Sequence, residues 1–129
     1  MNNRYFHVWF STKGRKPALA DEEINGEIQQ QMRAAAARGQ FELRDLALAV
    51  DHVHALICLR DDQHLESAMQ RLKGASSRIV FEKFPDLRFD MRGTLWQKGH
   101  GSRLVPVEEV TLVSHYSRSQ LERPLRHEN

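Results

Sequence analysis

Asp51-His52-Val53-His54-Ala55-Leu56-Ile57-Cys58-Leu59 is the stretch on which both the fold and the chemistry turn. Its apolar run has strand character, with Asp51 before it and Arg60-Asp61-Asp62 after it. Successive side chains of a strand point to opposite faces, so His52 and His54 share one face. Their β-carbons then stand about 6.5 Å apart, two rises of ~3.3 Å. From that spacing both imidazoles reach a single ion, and imidazole is the commonest protein metal ligand. The same pair also suits two hydrogen-bonded core histidines. The pair alone leaves both readings open.

Outward from this strand the pattern is regular. Residues 41–50, Phe-Glu-Leu-Arg-Asp-Leu-Ala-Leu-Ala-Val, begin with alternation and become apolar. They predict a strand that runs to a tight break near Asp51, and strands joined so closely pair antiparallel. Residues 4–12, Arg-Tyr-Phe-His-Val-Trp-Phe-Ser-Thr, are aromatic and β-branched and predict a central strand. Tyr5, His7 and Trp9 take one of its faces; Phe6, Val8 and Phe10 take the other. Between these strands Asp21 is placed to cap a helix, with Glu22 and Glu23 at the positive end of its dipole. Ile24, Ile28, Met32 and Ala35 recur at helical spacing up to a stop at Gly39.

After the histidine strand, Asp61-Asp62 is expected to cap a second helix. That helix would bury Leu65, Met69, Leu72 and Ile79 and be closed by Pro85. Gly74 in its middle costs about 1 kcal/mol relative to Ala, for which a close backbone approach is one reason. Residues 86–93 read as a loop. Residues 94–97 and 102–105 read as strand pieces around Gly99-His100-Gly101. Pro106, Glu108 and Glu109 open a last helix with Val110, Val113 and Leu121 on its apolar side. Pro124 ends it, before a frayed tail. The order β-α-β-β-α-β-α predicts an α+β protein: a ferredoxin-like core with an antiparallel sheet and an additional C-terminal helix. In that topology the first and third strands are the central pair.

The 129 residues are expected to form one domain, 1–129. An apolar fraction of 40% and a charged fraction of 28% are those of a soluble globular protein. No apolar run approaches the ~20 residues that span a bilayer, and residues 1–5 lack the apolar segment of a signal peptide. A single cysteine, Cys58, cannot form an internal disulfide, so a reducing, cytoplasmic setting is expected. A net charge of +2 neither demands nor excludes nucleic acid. Lys13, Arg15 and Lys16 cluster in a turn broken by Gly14 and Pro17, and Arg71, Lys73 and Arg78 cluster on the second helix. By charge alone either cluster is an ordinary solvated surface.

The two tyrosines are Tyr5 and Tyr116. Tyr116 and Gln120 are four residues apart and stack on one helical face. A phenol can act as a covalent nucleophile, and an amide carbonyl can ligate a hard cation. Taken by themselves they also read as a half-buried tyrosine beside a surface glutamine.

Five motifs in one order change that balance. They are Tyr5-Phe6-His7-Val8-Trp9 with Thr12-Lys13-Gly14-Arg15-Lys16-Pro17, then Asp51-His52-Val53-His54, then Leu72-Lys73-Gly74-Ala75-Ser76-Ser77-Arg78. Leu95-Trp96-Gln97-Lys98-Gly99 and the V-x-x-Y-x-x-x-Q of residues 113–120 follow. The set resembles the single-tyrosine transposases of the IS200/IS605 type, including those associated with repetitive extragenic palindromes, within the HUH endonuclease group. The resemblance covers residues 4–121. Two positions depart from the family pattern: Val50 stands where Pro is common, and His100 where an aromatic is common.

The resemblance implies that His52, His54 and Gln120 hold one divalent ion, Mg²⁺ or Mn²⁺. It implies that Tyr116 attacks a phosphodiester of single-stranded DNA, giving a 5′-phosphotyrosine link and a free 3′-hydroxyl. It further implies a hairpin near the cleavage site as the feature read, and a homodimer with composite active sites. Lys13, Arg15, Lys16, Lys73, Arg78, Lys98 and Arg103 are then the candidates for phosphate contacts, by charge and motif position. Two other classes compete. One is a non-catalytic, domesticated nucleic-acid-binding protein on the same fold. The other is a small metal-dependent nucleotide hydrolase of histidine-triad type, for which Leu56 stands where a third alternating histidine is needed.

Overall fold

The computed structural model describes residues 3–110. Residues 111–129, which hold Tyr116, Gln120 and most of the expected last helix, lie outside the described residues. In chain order the elements are β1 (Arg4–Ser11), α1 (Glu22–Gly39), β2 (Glu42–Leu48), β3 (His52–Leu59), α2 (Leu65–Lys83), α3 (Pro85–Asp90) and β4 (Gly101–Val105). Single 3₁₀ turns occupy Lys13–Arg15, Ala18–Ala20 and Val107–Glu109.

The strands form an antiparallel sheet in the order β2-β3-β1-β4. β1 and β3 are the central pair, as their apolar faces predict. Phe6, Val8 and Phe10 of β1 join Val53, Ala55, Ile57 and Leu59 of β3 on one side of the sheet. Against that side α1 packs Ile28, Met32 and Ala35, and α2 packs Ala68, Met69, Leu72 and Val80. Each fully buried large aliphatic here stabilises by about 1.5–3 kcal/mol, so this layer carries most of the fold.

The opposite face bears Tyr5, His7 and Trp9 of β1 and His52, His54, Leu56 and Cys58 of β3. A small second cluster sits on it: Leu56, Val105 and Val110 with Tyr5 at its edge. The chain after β4 therefore reaches the histidine face by Val110, which is 6% exposed.

Asp21 caps α1 as its chemistry predicts, its carboxylate accepting from the Glu23 and Ile24 amides. Gln40, one residue beyond Gly39, takes the left-handed cap conformation at φ 60°. A β-carbon at Gly39 would lie 2.7 Å from Cδ of Arg71 on α2 and 2.9 Å from Cε2 of Phe41, so both side chains would have to shift.

Several expectations are corrected. His64, not Asp61 or Asp62, is the N-cap of α2, and the buried face of that helix ends on Val80 rather than Ile79. A β-carbon on Gly74 would meet nothing within 4 Å, so no close approach explains that glycine. Residues 86–93 are not all loop. Pro85 begins α3, because a residue without an N–H fits the first helical position as well as it closes a preceding helix. The strand expected at 94–97 reduces to one bridge between Thr12 and Trp96. Tyr5 is half-buried beside Cys58, where the thiol neighbour, their hydrogen bond and burial raise its pKa.

Candidate metal centre and active site

The two histidines of β3 face away from the helices, with ring centroids 5.1 Å apart and planes nearly perpendicular. β1 runs antiparallel beside them, with Trp9 opposite His54 and Ser11 opposite His52. His7 lies on the same face of β1 and brings its Nε2 to 3.1 Å from Nδ1 of His54. Asp51 brings Oδ1 to 2.9 Å from Nδ1 of His52. A carboxylate only accepts, so His52 donates from Nδ1 and its Nε2 carries the lone pair. Nδ1 of each histidine is thus engaged, and neither Nε2 has a hydrogen bond among the described residues.

Burial lowers the pKa of His54 to about 4, with smaller contributions from His52 and His7. The ring is neutral at physiological pH, the state in which imidazole ligates a metal. Burial, then the nearby Arg103 guanidinium, lowers His7 in the same way. Burial pushes the Asp51 carboxyl up, but hydrogen bonds from His52 and Arg15 outweigh it and leave it below its usual value. Arg15 grips Asp51 with two nitrogens, Nε at 3.2 Å and Nη2 at 3.3 Å.

The histidines open into a pocket of about 400 Å³ whose lining includes Trp9, Arg15, Lys98 and His100. Three segments far apart in the chain meet around it through their backbones. The Thr12 amide donates to Asp51 O, the Lys13 amide to Leu95 O and the Gln97 amide to Ser11 O. Below them Trp96 packs edge-on against Phe10 at 4.9 Å and donates from Nε1 to Ser76 of α2. Lys73, one turn earlier on α2, donates to the carbonyls of Gln97 at 2.9 Å and Gly99 at 2.8 Å. The motif segments of β1, β3, α2 and the 94–101 loop therefore build one structure.

The basic residues divide. Arg15 and Lys98 line the histidine pocket. Lys13 is exposed on the adjoining turn, while Lys16 of that turn donates to Asp90 O. Lys73 is half-buried and engaged with the loop, and burial lowers its pKa. Arg103 lies on edge strand β4, within 3.8 Å of Glu109. Arg78 lines a separate pocket with Ser77, Phe81 and Arg88. Tyr116 and Gln120, the other two expected site residues, fall outside the described residues.

Among the described residues no group of three or more His, Cys, Asp or Glu side chains is set to hold a metal ion. The donor chemistry of the pair nevertheless fits one: two imidazoles, each with Nδ1 tied back and Nε2 unengaged. Motif reading missed His7 and the gripping of Asp51 by Arg15. Parity already put His7 on one face with Trp9, but only the β1–β3 register brings it to His54.

Comparison with known proteins is decisive at the level of family. The family model described as "Transposase IS200 like" matches residues 1–120. The chain belongs to the IS200-like transposases. Proteins of this family cut DNA and transfer its strands. The chain is 28% identical over 116 residues to the ISDra2 transposase TnpA of Deinococcus radiodurans, covering 89% of this chain and 82% of the relative. It is likewise 28% identical over 123 residues to the IS200 transposase of Salmonella typhimurium, covering 93% and 78%. A crystal structure from Deinococcus radiodurans R1, described as a transposase, superposes with a TM-score of 0.75 at 27% identity, covering 93% of this chain and 92% of that one. A REP-associated tyrosine transposase bound to a REP hairpin shares the fold, with a TM-score of 0.63 at 12% identity over 92% of this chain and 62% of that one. No helix among the described residues is long and apolar enough to cross a membrane.

Proposed function

We propose that this transposase cuts and rejoins single-stranded DNA through a covalent tyrosine intermediate, with Tyr116 as nucleophile and His52, His54 and Gln120 as holders of one Mg²⁺ or Mn²⁺ ion. The observation that carries the reading is the histidine pair: two adjacent imidazoles with Nδ1 engaged and Nε2 unengaged, beside Arg15 and Lys98 in an open pocket. A divalent ion held there would stabilise charge developing on the phosphoryl oxygens. Asp51 and His7 orient the two imidazoles. Arg15 and Lys98 draw in the phosphate backbone.

The phenol oxygen of Tyr116 forms a bond to phosphorus as the bond to the 3′-oxygen breaks. The phenol gives up its proton and the departing 3′-oxygen takes one up. The 5′-phosphotyrosine link conserves the bond energy, so rejoining to a 3′-hydroxyl needs no nucleotide cofactor. The REP-associated relative was seen with a hairpin, and a hairpin flanking the cleaved strand is the substrate feature proposed for this chain. The working assembly proposed is a homodimer.

The test is adduct trapping. End-labelled single-stranded DNA carrying the hairpin and its flank is incubated with Mn²⁺ and run under denaturing conditions. Wild type should form a protein–DNA adduct. Tyr116→Phe and His54→Ala should form none, although both bind the DNA, and EDTA should abolish the wild-type adduct. Binding without an adduct in wild type would return the chain to the domesticated, non-catalytic reading. An adduct in Tyr116→Phe would remove Tyr116 as nucleophile.

A further inference from the structure

Trp9 stands out among the large apolar side chains. It is 38% exposed on a central strand, although His7, Leu56 and Cys58 on the same face of the sheet are buried. The other exposed large apolar residues, Val50, Phe89, Leu104 and Val107, lie away from the histidine pocket, whereas Trp9 lines it. Its position is built. Across the β1–β4 ladder it faces Gly101, and a β-carbon on that residue would lie 2.1 Å from Cε2 and Nε1 of the indole. The indole thus occupies space that only glycine leaves vacant. His7 braces it from β1, ring centroids 5.0 Å apart and planes inclined at 52°.

We infer that Trp9 is a nucleobase-stacking subsite, receiving one unpaired base of the DNA strand whose phosphates enter the histidine pocket. The inference rests on the single-strand reading above and deepens it. Single strands are held by cationic groups that follow the backbone and aromatic rings on which bases stack. Here Arg15 and Lys98 supply the charge and Trp9 the ring, around one pocket. A ring held by Gly101 and His7 loses little side-chain entropy on stacking. Every base has a π-face, so the subsite tolerates any sequence while rejecting duplex DNA, whose bases are already stacked.

Tryptophan fluorescence tests this directly. The second tryptophan, Trp96, is 5% exposed with its Nε1 hydrogen-bonded to Ser76, so quenching by a ligand reports on Trp9. The full chain in EDTA is titrated with a single-stranded oligodeoxyadenosine and with an abasic oligomer of equal length, binding being followed separately by anisotropy of a label. The oligodeoxyadenosine should quench emission as it binds; the abasic oligomer should bind by charge without quenching. Trp9→Phe should lose the quench. Trp9→Ala, checked for fold by circular dichroism, should weaken oligodeoxyadenosine binding by about 5- to 150-fold and leave the abasic oligomer unaffected. Gly101→Ala should lose the quench with the indole still present, because the ring must move. Binding of oligodeoxyadenosine without a quench, or equal affinity in Trp9→Ala, overturns the subsite and leaves the transposase reading standing. Failure of wild type to bind either oligomer overturns the single-strand reading itself and the subsite with it.

Discussion

His7 is the residue whose role the register decides. Buried at 8% exposure, its Nε2 meets Nδ1 of His54. When His54 donates that proton, its own Nε2 is left with the lone pair a metal needs. His7→Phe keeps a flat ring but removes the acceptor, and should weaken Mn²⁺ binding about 10- to 100-fold, read by loss of the free-ion signal in electron paramagnetic resonance. His7→Gln, whose carbonyl accepts, should recover part of the loss. Wild-type affinity in His7→Phe would take His7 out of the site. The depressed pKa of His54 has its own consequence. The ring titrates near its ordinary ~6.5 in the unfolded chain and at about 4 when folded. Between those values the unfolded state binds more protons, so stability is full above about pH 6.5 and is lost as pH falls toward 4. Comparing urea midpoints of metal-free protein near pH 7 and pH 4.5, the part due to His54 should be on the order of 2 kcal/mol. His54→Ala should flatten the profile by that amount; an unaltered pH dependence would show that the ring is not held neutral by the fold.

At the scale of elements, α2 holds the 94–101 loop in place. Lys73 ties down two loop carbonyls and places its Nζ over the Phe10 ring, 5.5 Å from the centroid. The Ser76 hydroxyl accepts a hydrogen bond from the Trp96 indole N–H and itself donates to Leu72 O. Lys73→Met keeps the aliphatic stem and removes the donor. It should cost about 1–3 kcal/mol, since two carbonyls lose a charged partner. Amide exchange at 97–101 should speed up while that of β1 and β3 stays slow. Unchanged exchange in the loop would mean that its backbone hydrogen bonds to Ser11 and Lys13 and the Trp96–Ser76 bond hold it without Lys73. Lys73 thus does internal work in a motif whose charge had pointed to phosphate contact.

At the scale of the molecule, the sheet has one face under α1 and α2 and one face bearing the histidines. Val110, packed on Leu56 and Val105, brings the chain onto that second face just before the segment with Tyr116 and Gln120. The homodimer proposal places the tyrosine of one subunit at the histidines of the other. Mixing the inactive variants Tyr116→Phe and His54→Ala under subunit exchange tests it. In the trans arrangement each heterodimer regains one intact site and some cleavage returns. No recovery with heterodimers present would assign both halves of the site to one subunit, leaving the roles of Tyr116 and His54 as they are.

By itself the sequence determined β1 to β4, though it added a strand at 94–97 that is only a bridge, together with the two long helices, the central pairing of β1 and β3 and the family. All rest on local periodicity, on capping chemistry at Asp21 and on motifs in fixed order, which are properties of neighbouring residues. It closed α2 before Pro85 correctly but read 86–93 as a loop, because proline is equally at home just after one helix and at the start of the next. Only the tertiary structure decided which side chains surround the histidines. The reach of His7 to His54 depends on the pairing of strands some 47 residues apart in the chain. The turning inward of Lys73 depends on a loop brought back across α2, and the seat of Trp9 depends on an absent β-carbon at Gly101. Contacts of that separation are set by register and packing, which no local pattern encodes.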